Sequence, residues 1–152
     1  MKKRNLQVKQ LSHKMQDVSH LQQIAVPETG WLKTIRLSIG MSLEQLGRKL
    51  GISKQSAMDI ERREREGSVT LRALREAATA MDMDLVYGFV PKDGSISNLI
   101  DRKAHELATK IVGMASQHMV LENQENSKER LEEAIRERTN EIREKMPRIL
   151  WD

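Results

Sequence analysis

Apolar residues recur every three or four positions along most of this chain, and the alternation typical of strands is nearly absent. The residue types agree with that spacing, because helix-forming residues dominate and aromatic residues make up only 3% of the sequence. The pattern therefore predicts an all-α protein. Its first helix is expected from about Asn5 to Ala25, and the apolar face of that helix would consist of Leu11, Met15, Val18, Leu21 and Ile24 or Ala25.

Two short helices joined by a tight turn are predicted between Met41 and Glu61. Ser42 can cap the first helix, and Gln45 completes a capping box three residues later. Gly51 follows the last apolar residue of that helix, where a left-handed C-cap favours glycine. Ser53 can cap the second helix. The residues expected to face inward are Leu43, Leu46, Leu50, Ile52, Ala57 and Ile60. This arrangement is the signature of a helix-turn-helix motif.

Gly47 lies in the middle of the first of these helices, where glycine costs about 1 kcal/mol relative to alanine. A close approach of the following helix would offset that cost. We therefore expect Gly47 to mark the point where the two helices of the motif come closest.

The same spacing predicts further helices on both sides of the motif. One runs from Trp31 to Ile39, and the second helix of the motif is expected to continue until Gly67 stops it. Thr70 can cap the next helix. The inward residues of these flanking helices would be Leu32, Ile35 and Ile39, and then Leu71, Leu74, Ala77, Ala78 and Met81.

Leu85–Val90 is the one good strand candidate, and Pro91 closes it. A lone strand cannot satisfy its own backbone groups, so the same strand of a second subunit is the expected partner. A long amphipathic helix follows, from Ile96 to Met119, with Leu99, Ile100, Ala104, Leu107, Ala108, Ile111 and Ala115 on its apolar face. A charged helix from Asn126 to Met146 is either an interaction arm or a solvated face, and Trp151 is expected to dock.

The length of 152 residues favours one small domain with helical extensions. We expect a basic N-terminal arm and amphipathic helix at 1–29, a helix-turn-helix domain at 30–91 and a helical dimerisation or interaction extension at 92–152. The absence of Cys excludes a disulfide scaffold and thiolate metal sites. No apolar stretch approaches the length of a membrane span, so the expected location is the cytoplasm.

The net charge of +4 is concentrated at the N-terminus, because residues 1–26 carry five basic residues and one acidic residue. In the rest of the chain, basic and acidic residues nearly balance. The basic segment is either a solubilising tail on a helix or an arm that lies along DNA phosphates. The sequence favours neither alternative.

In a helix-turn-helix, the start of the second helix meets base edges in the major groove. Here the expected base-reading residues are Lys54, Gln55 and Asp59. The expected phosphate contacts are Ser42, Ser53, Arg48, Arg62, Arg63 and Arg65. Without the motif, these residues would read as an ordinary solvated face and a mixed-charge helix end. With the motif, a DNA-facing surface is the stronger interpretation.

The segment from Trp31 to Leu85 resembles the Cro/cI-type, or Xre-type, helix-turn-helix family, so a five-helix domain of that type with one short strand is expected. The resemblance implies an ion pair between Arg36 and Glu61 that locks the module. It also places Gly47 at the small-residue position of the family and Ser56 at a phosphate-contact position. Leu43 departs from the family, since phage repressors often carry a phosphate-binding Gln there.

A wider resemblance covers nearly the whole chain. The segments that carry it are 30–36, 40–42, 85–87, 90–91, 119–124 and 147–151, which are similar to the family called mobile mystery protein A. Those proteins are bacterial, Xre-like and commonly encoded beside a Fic-domain protein. The resemblance implies a regulator or an antitoxin-like partner in a two-gene module.

These observations favour a sequence-specific regulator that binds double-stranded DNA as a homodimer and represses its own operon. The alternative is an antitoxin-like protein whose C-terminal helices neutralise a Fic-type toxin, although the same helices could simply build the homodimer. An enzyme is disfavoured, because no nucleophile motif, phosphate loop or carboxylate pair stands out. No cofactor or metal is expected, since His13, His20, His105 and His118 show no ligand spacing.

Overall fold

A computed structural model describes residues 2–117 and 127–152. This part of the chain is all-helical, and it contains no strand. Its α-helices are α1 Lys2–Val18, α2 Trp31–Ser38, α3 Leu43–Leu50, α4 Lys54–Glu66, α5 Leu71–Ala80, α6 Ile96–Gln117 and α7 Ser127–Lys145. Short 3-10 helices cover Ser19–Gln23 and Arg148–Trp151. No helix of the described residues is long and apolar enough to cross a membrane.

The chain forms two compact units. One comprises Leu21–Tyr87, and we call it the helix-turn-helix unit. The other comprises residues 1–20 together with 88–152, and we call it the terminal-helix unit. The N-terminal helix therefore belongs with the C-terminal helices rather than forming a segment of its own.

The helix-turn-helix unit packs four helices, α2 to α5, around one small core. Leu46 is its largest fully buried side chain. The other buried residues of this core are Leu32, Ala57, Ala77 and Met81. Three of its four helices begin at the expected side-chain caps, because the hydroxyls of Ser42, Ser53 and Thr70 each accept from a backbone N–H three residues later. These caps explain why the helix boundaries could be read from the sequence.

The terminal-helix unit has a second core, formed where α6 packs against α7. The buried residues of this core are Ile100, Ala104, Ala108, Ile142 and Leu150. Helix α1 adds Val8 to its edge. Gly88 lies so close to Val18 that a Cβ at position 88 would overlap the Val18 side chain. Only glycine therefore fits at position 88, where the chain passes α1.

The expected strand at Leu85–Val90 does not form in the described structure. A strand needs a hydrogen-bonding neighbour, and the described residues supply none. Val86, Tyr87 and Phe89 are 73%, 56% and 78% exposed. The β-branched and aromatic composition indicates a preference for a sheet, and residues 2–117 and 127–152 of the single chain contain none, so pairing with a second subunit stays a prediction.

Several helix details also differ from expectation. The helix-turn-helix unit has four α-helices rather than five, and the N-terminal α-helix ends at Val18. Ile39 and Leu71, expected to be buried, are exposed because each lies at the end of its helix, beyond the reach of the core. Leu11 and Ala115 are also exposed. On α1 the inward stripe is offset from the expected one and consists of Val8, Ser12, Met15 and Val18.

Three expectations fall on residues outside the described ranges. They are Met119 as the end of the long amphipathic helix, the segment 119–124 as part of the wider resemblance, and His118 as a histidine without ligand spacing. The charged helix expected from Asn126 is described from Ser127 and ends at Lys145, next to Pro147. Trp151, which was expected to dock, is 54% exposed, whereas its neighbour Leu150 is buried in the core of the terminal-helix unit.

Candidate nucleic-acid interface

The turn between α3 and α4 sets the geometry of the candidate DNA-facing surface. A Cβ on Gly47 would lie 2.9 Å from the carbonyl oxygen of Ile52 and 3.2 Å from that of Ser53. Gly51 adopts the left-handed conformation, with φ 70°, and it ends α3. The glycine in mid-helix thus allows the turn to fold back onto α3, which fixes the direction in which α4 leaves.

A buried ion pair ties α2 to α4. Nη2 of Arg36 lies 2.9 Å from Oε1 of Glu61, and Nε of Arg36 lies 3.1 Å from both carboxylate oxygens. The two residues are only 5% and 3% exposed. Nη1 of Arg36 also donates to the carbonyl oxygen of Met41, at 3.0 Å. Because the guanidinium reaches both α4 and the segment before α3, it joins three parts of the unit at one point.

A second carboxylate of α4 caps α2, and the sequence reasoning missed it. Oε2 of Glu64 accepts from the backbone N–H of Trp31 at 2.7 Å, and Oε1 accepts from that of Leu32 at 2.8 Å. Gly30, at φ 87°, packs against this carboxylate, and a Cβ there would lie 3.1 Å from it. The available signal was the spacing, since Glu64 follows Glu61 by three residues and so shares its inward face.

The outward face of α4 carries a linked row of polar side chains. Nε2 of Gln55 lies 3.4 Å from Oδ1 of Asp59, and Nη2 of Arg62 lies 3.3 Å from the same oxygen. Nη1 of Arg62 lies 4.0 Å from Oε1 of Glu66. The row therefore alternates neutral, acidic, basic and acidic groups. Arg62 therefore compensates the negative charge of Asp59, which is one of the residues expected to read bases.

The start of α4 presents its own polar groups. Oγ of Ser53 accepts from the backbone N–H of Ser56 and donates to the Ser56 hydroxyl, each at 3.0 Å. Nζ of Lys54 lies 3.5 Å from Oε1 of Glu44 on α3, with both side chains more than half exposed. An exposed pair of this kind contributes little to stability, so Lys54 can exchange Glu44 for another partner at small cost.

The remaining candidate phosphate contacts are dispersed over α3 and α4. Ser42 caps α3, and its capping box with Gln45 is complete. Arg48 lies in the last turn of α3 and is exposed. Arg63 and Arg65 lie in the last turn of α4 and are also exposed. The structure thus groups Lys54, Gln55 and Asp59 in the first half of α4, with Arg63 and Arg65 at its far end.

Residues 2–117 and 127–152 contain no group of three or more His, Cys, Asp or Glu side chains placed to hold a metal ion. The buried carboxylate of Glu61 is fully engaged by Arg36. Its role in the fold is therefore to position α4.

Residues 32–87 match the model of a helix-turn-helix family. The match spans α2 to α5 and ends within the segment that follows them. The match supports a DNA-binding role for this part of the chain. The search of curated proteins and the search of solved structures each gave no match.

Proposed function

We propose that this protein is a transcriptional regulator that reads a specific DNA sequence with the first half of α4. The observation that carries the proposal is the way α4 is held. The Arg36–Glu61 pair and the Glu64 cap fix its inner face, while Gln55 and Lys54 are exposed at its start. A rigid helix that presents polar side chains is what base reading in the major groove requires.

The side chains of this face have distinct expected roles. Gln55 can pair with adenine through its amide, and Lys54 can donate to guanine. Asp59 can accept from a cytosine amino group while Arg62 neutralises it. The proposed phosphate contacts are Ser42, Ser53, Ser56, Arg48, Arg62, Arg63 and Arg65. Ser42 and Ser53 support this assignment, because each stands at a helix start whose N–H groups favour an anion.

We further propose that the regulator acts as a homodimer on its own operon. A symmetric operator would present two half-sites roughly 34 Å apart, one for each subunit. Leu37, Ile39 and Leu71 are exposed apolar side chains of the helix-turn-helix unit and are available for such an interface. Repression of a two-gene operon rests on the resemblance to mobile mystery protein A.

A direct test is fluorescence anisotropy with labelled duplexes. One duplex carries the DNA upstream of the gene, and a second carries the same bases in scrambled order. Specific regulators bind their sites roughly 10³ to 10⁷ times more tightly than other DNA at physiological salt. We expect a strong preference for the upstream duplex. Equal affinity for both duplexes would contradict base reading at this site.

A second candidate function is supported by the separate terminal-helix unit, which the DNA-reading role does not require. The proposal is that α6 and α7 bind and neutralise a co-encoded Fic-type toxin. Co-expression with the product of the adjacent gene, followed by affinity purification, tests it. Capture that is lost when residues 96–152 are deleted, with the helix-turn-helix unit still folded by circular dichroism, would support it. No co-purification would rule it out.

A further inference from the structure

We propose that the outward face of α1 is a second polyanion-binding surface that contacts the phosphates of duplex DNA. Four lysines define this surface, which we call the α1 lysine face: Lys2, Lys3, Lys9 and Lys14. All four are exposed. The proposal adds to the proposed function a contact that carries no sequence information.

The arrangement of charge on α1 distinguishes this helix from the others in its unit. Asp17, near its C-terminal end, is its one acidic residue. No ion pair found among the described residues involves a lysine of α1. On α7, by contrast, Glu141 contacts both Arg138 and Lys145, at 3.0 and 2.7 Å. The positive charge of the α1 lysine face therefore has little internal compensation.

The fold also decides which basic residues of α1 are available. Nη1 of Arg4 donates to the carbonyl oxygen of Met146 at 3.3 Å, so this guanidinium serves the terminal-helix unit itself. The partly buried stripe of Val8, Ser12, Met15 and Val18 lies on the inner side of the helix. Packing of this stripe fixes α1 as a helix and leaves the lysines on the outer side.

Duplex DNA fits this face better than a membrane surface does. From Lys2 to Lys14 the face is ~18 Å long at the rise of an α-helix, which corresponds to ~5 base pairs of duplex. A helix that lies in a membrane interface needs a free apolar side. The apolar stripe of α1 that begins at Val8 is instead turned inward toward the core of the terminal-helix unit, which leaves only Leu6 and Leu11 as exposed apolar residues of this helix.

The test uses the full chain with all four lysines of the face replaced by glutamine: Lys2→Gln, Lys3→Gln, Lys9→Gln and Lys14→Gln. Glutamine keeps helix propensity, and circular dichroism with a thermal melt verifies the fold. The matched control removes the same charge from exposed positions of the mixed-charge helices α6 and α7: Lys110→Gln, Lys128→Gln, Arg130→Gln and Arg136→Gln. Both variants are titrated against a random-sequence duplex at several salt concentrations.

Log K falls with log salt with a slope of about −0.9 for each phosphate contact, so we expect the magnitude of the slope to fall by roughly 2 to 4 in the α1 variant. The control variant should keep most of the wild-type slope. An α1 variant with the wild-type slope, or two variants with equal losses, would overturn the proposal. Binding to phosphatidylserine vesicles is measured alongside. A loss of vesicle binding with unchanged DNA binding would also overturn the proposal.

This test is independent of the outcome for base reading. The random-sequence duplex reports the α1 contact even when the helix-turn-helix unit shows no operator preference. If the protein does prefer an operator, the α1 variant should weaken operator and scrambled DNA by the same factor. A changed ratio between the two would contradict a pure phosphate contact.

Discussion

Glu64 caps the helix that begins at Trp31, although the two residues are far apart in sequence. The backbone N–H of Trp31 donates to Oε2 of Glu64 at 2.7 Å. The free N–H groups at the start of a helix attract an anion, and here the chain supplies its own. Since Glu64 belongs to α4, the cap connects the end of the candidate recognition helix to the start of α2.

Replacing Glu64 by alanine should therefore destabilise the helix-turn-helix unit. Loss of a helix cap costs about 0.5–2 kcal/mol, and we expect a value in that range from urea denaturation. Glu66→Ala is the matched control, because Glu66 is exposed and its nearest cation, Arg62, is 4.0 Å away. The control should change stability by less than about 0.5 kcal/mol. Equal effects of the two substitutions would contradict the capping role.

Breaking the buried pair should have a larger effect. Glu61→Ala leaves the Arg36 guanidinium buried without its main partner, and such losses cost about 3–5 kcal/mol. Denaturation of the full chain, followed by circular dichroism, measures it. The corresponding change at the exposed Lys54–Glu44 pair, Glu44→Ala, should cost at most about 1 kcal/mol. A loss below that level for Glu61→Ala would show that the pair is not the lock of this unit.

Two glycines in helices should respond to alanine with opposite signs. Gly47→Ala would place a Cβ 2.9 Å from the Ile52 carbonyl oxygen, so we expect destabilisation despite the better helix propensity of alanine. Gly113 lies in α6 and has nothing within 4 Å of the Cβ position. Gly113→Ala should therefore stabilise its helix by about 0.5–1 kcal/mol. Thermal melts of both variants check the pair, and stabilisation by Gly47→Ala would contradict the close approach.

Gln55→Ala should reduce discrimination between DNA sequences while leaving the fold intact. A good bidentate contact contributes about 1–3 kcal/mol of discrimination against the wrong base. The difference in binding free energy between operator and scrambled DNA should therefore fall by that amount, which lowers the ratio of the two affinities. Anisotropy gives both affinities. The melting temperature of the variant should equal that of wild type within error, because Gln55 is exposed. Arg72→Gln, on α5, is the control and should leave the ratio unchanged. An unaltered ratio in Gln55→Ala would exclude base reading by this residue.

The terminal-helix unit should lose stability in acid, because protonation of Asp93 breaks its ion pair with Arg102. Nε and Nη2 of Arg102 donate to the two carboxylate oxygens of Asp93, at 2.8 and 3.1 Å. These hydrogen bonds hold the pKa of Asp93 below its ordinary value of 3.8. Because the folded-state pKa is the lower one, the stabilisation is complete above the ordinary value and is lost as the pH falls through the folded-state pKa.

Asp93→Asn should accordingly lower the melting temperature at neutral pH. The difference from wild type should shrink as the pH falls below about 3.8. Melts over a pH series measure this difference. A gap that stays constant with pH would indicate that the pair contributes through packing alone.

Local sequence determined most of the helix boundaries, because caps and glycine stops act through the nearest few residues. Ser42, Ser53 and Thr70 cap the helices that they were expected to cap, and Gly51 and Gly67 end theirs in the left-handed conformation. The apolar spacing likewise located the core around Leu46. The base-reading and phosphate-contact residues stay predictions.

Only the tertiary structure decided the features that depend on distant partners. The composition of Leu85–Val90 favours a strand, but a strand forms only with a neighbour, and the described residues have none to offer. The cap between Glu64 and Trp31 joins groups 33 positions apart, which no local pattern specifies. Helix periodicity identified an apolar face on α1, whereas packing against the terminal-helix unit decided that its inner stripe begins at Val8 and leaves Leu11 exposed. Caps act at short range and packing acts at long range, which is why the sequence predicted where the helices begin and the tertiary structure decided which of their faces are buried.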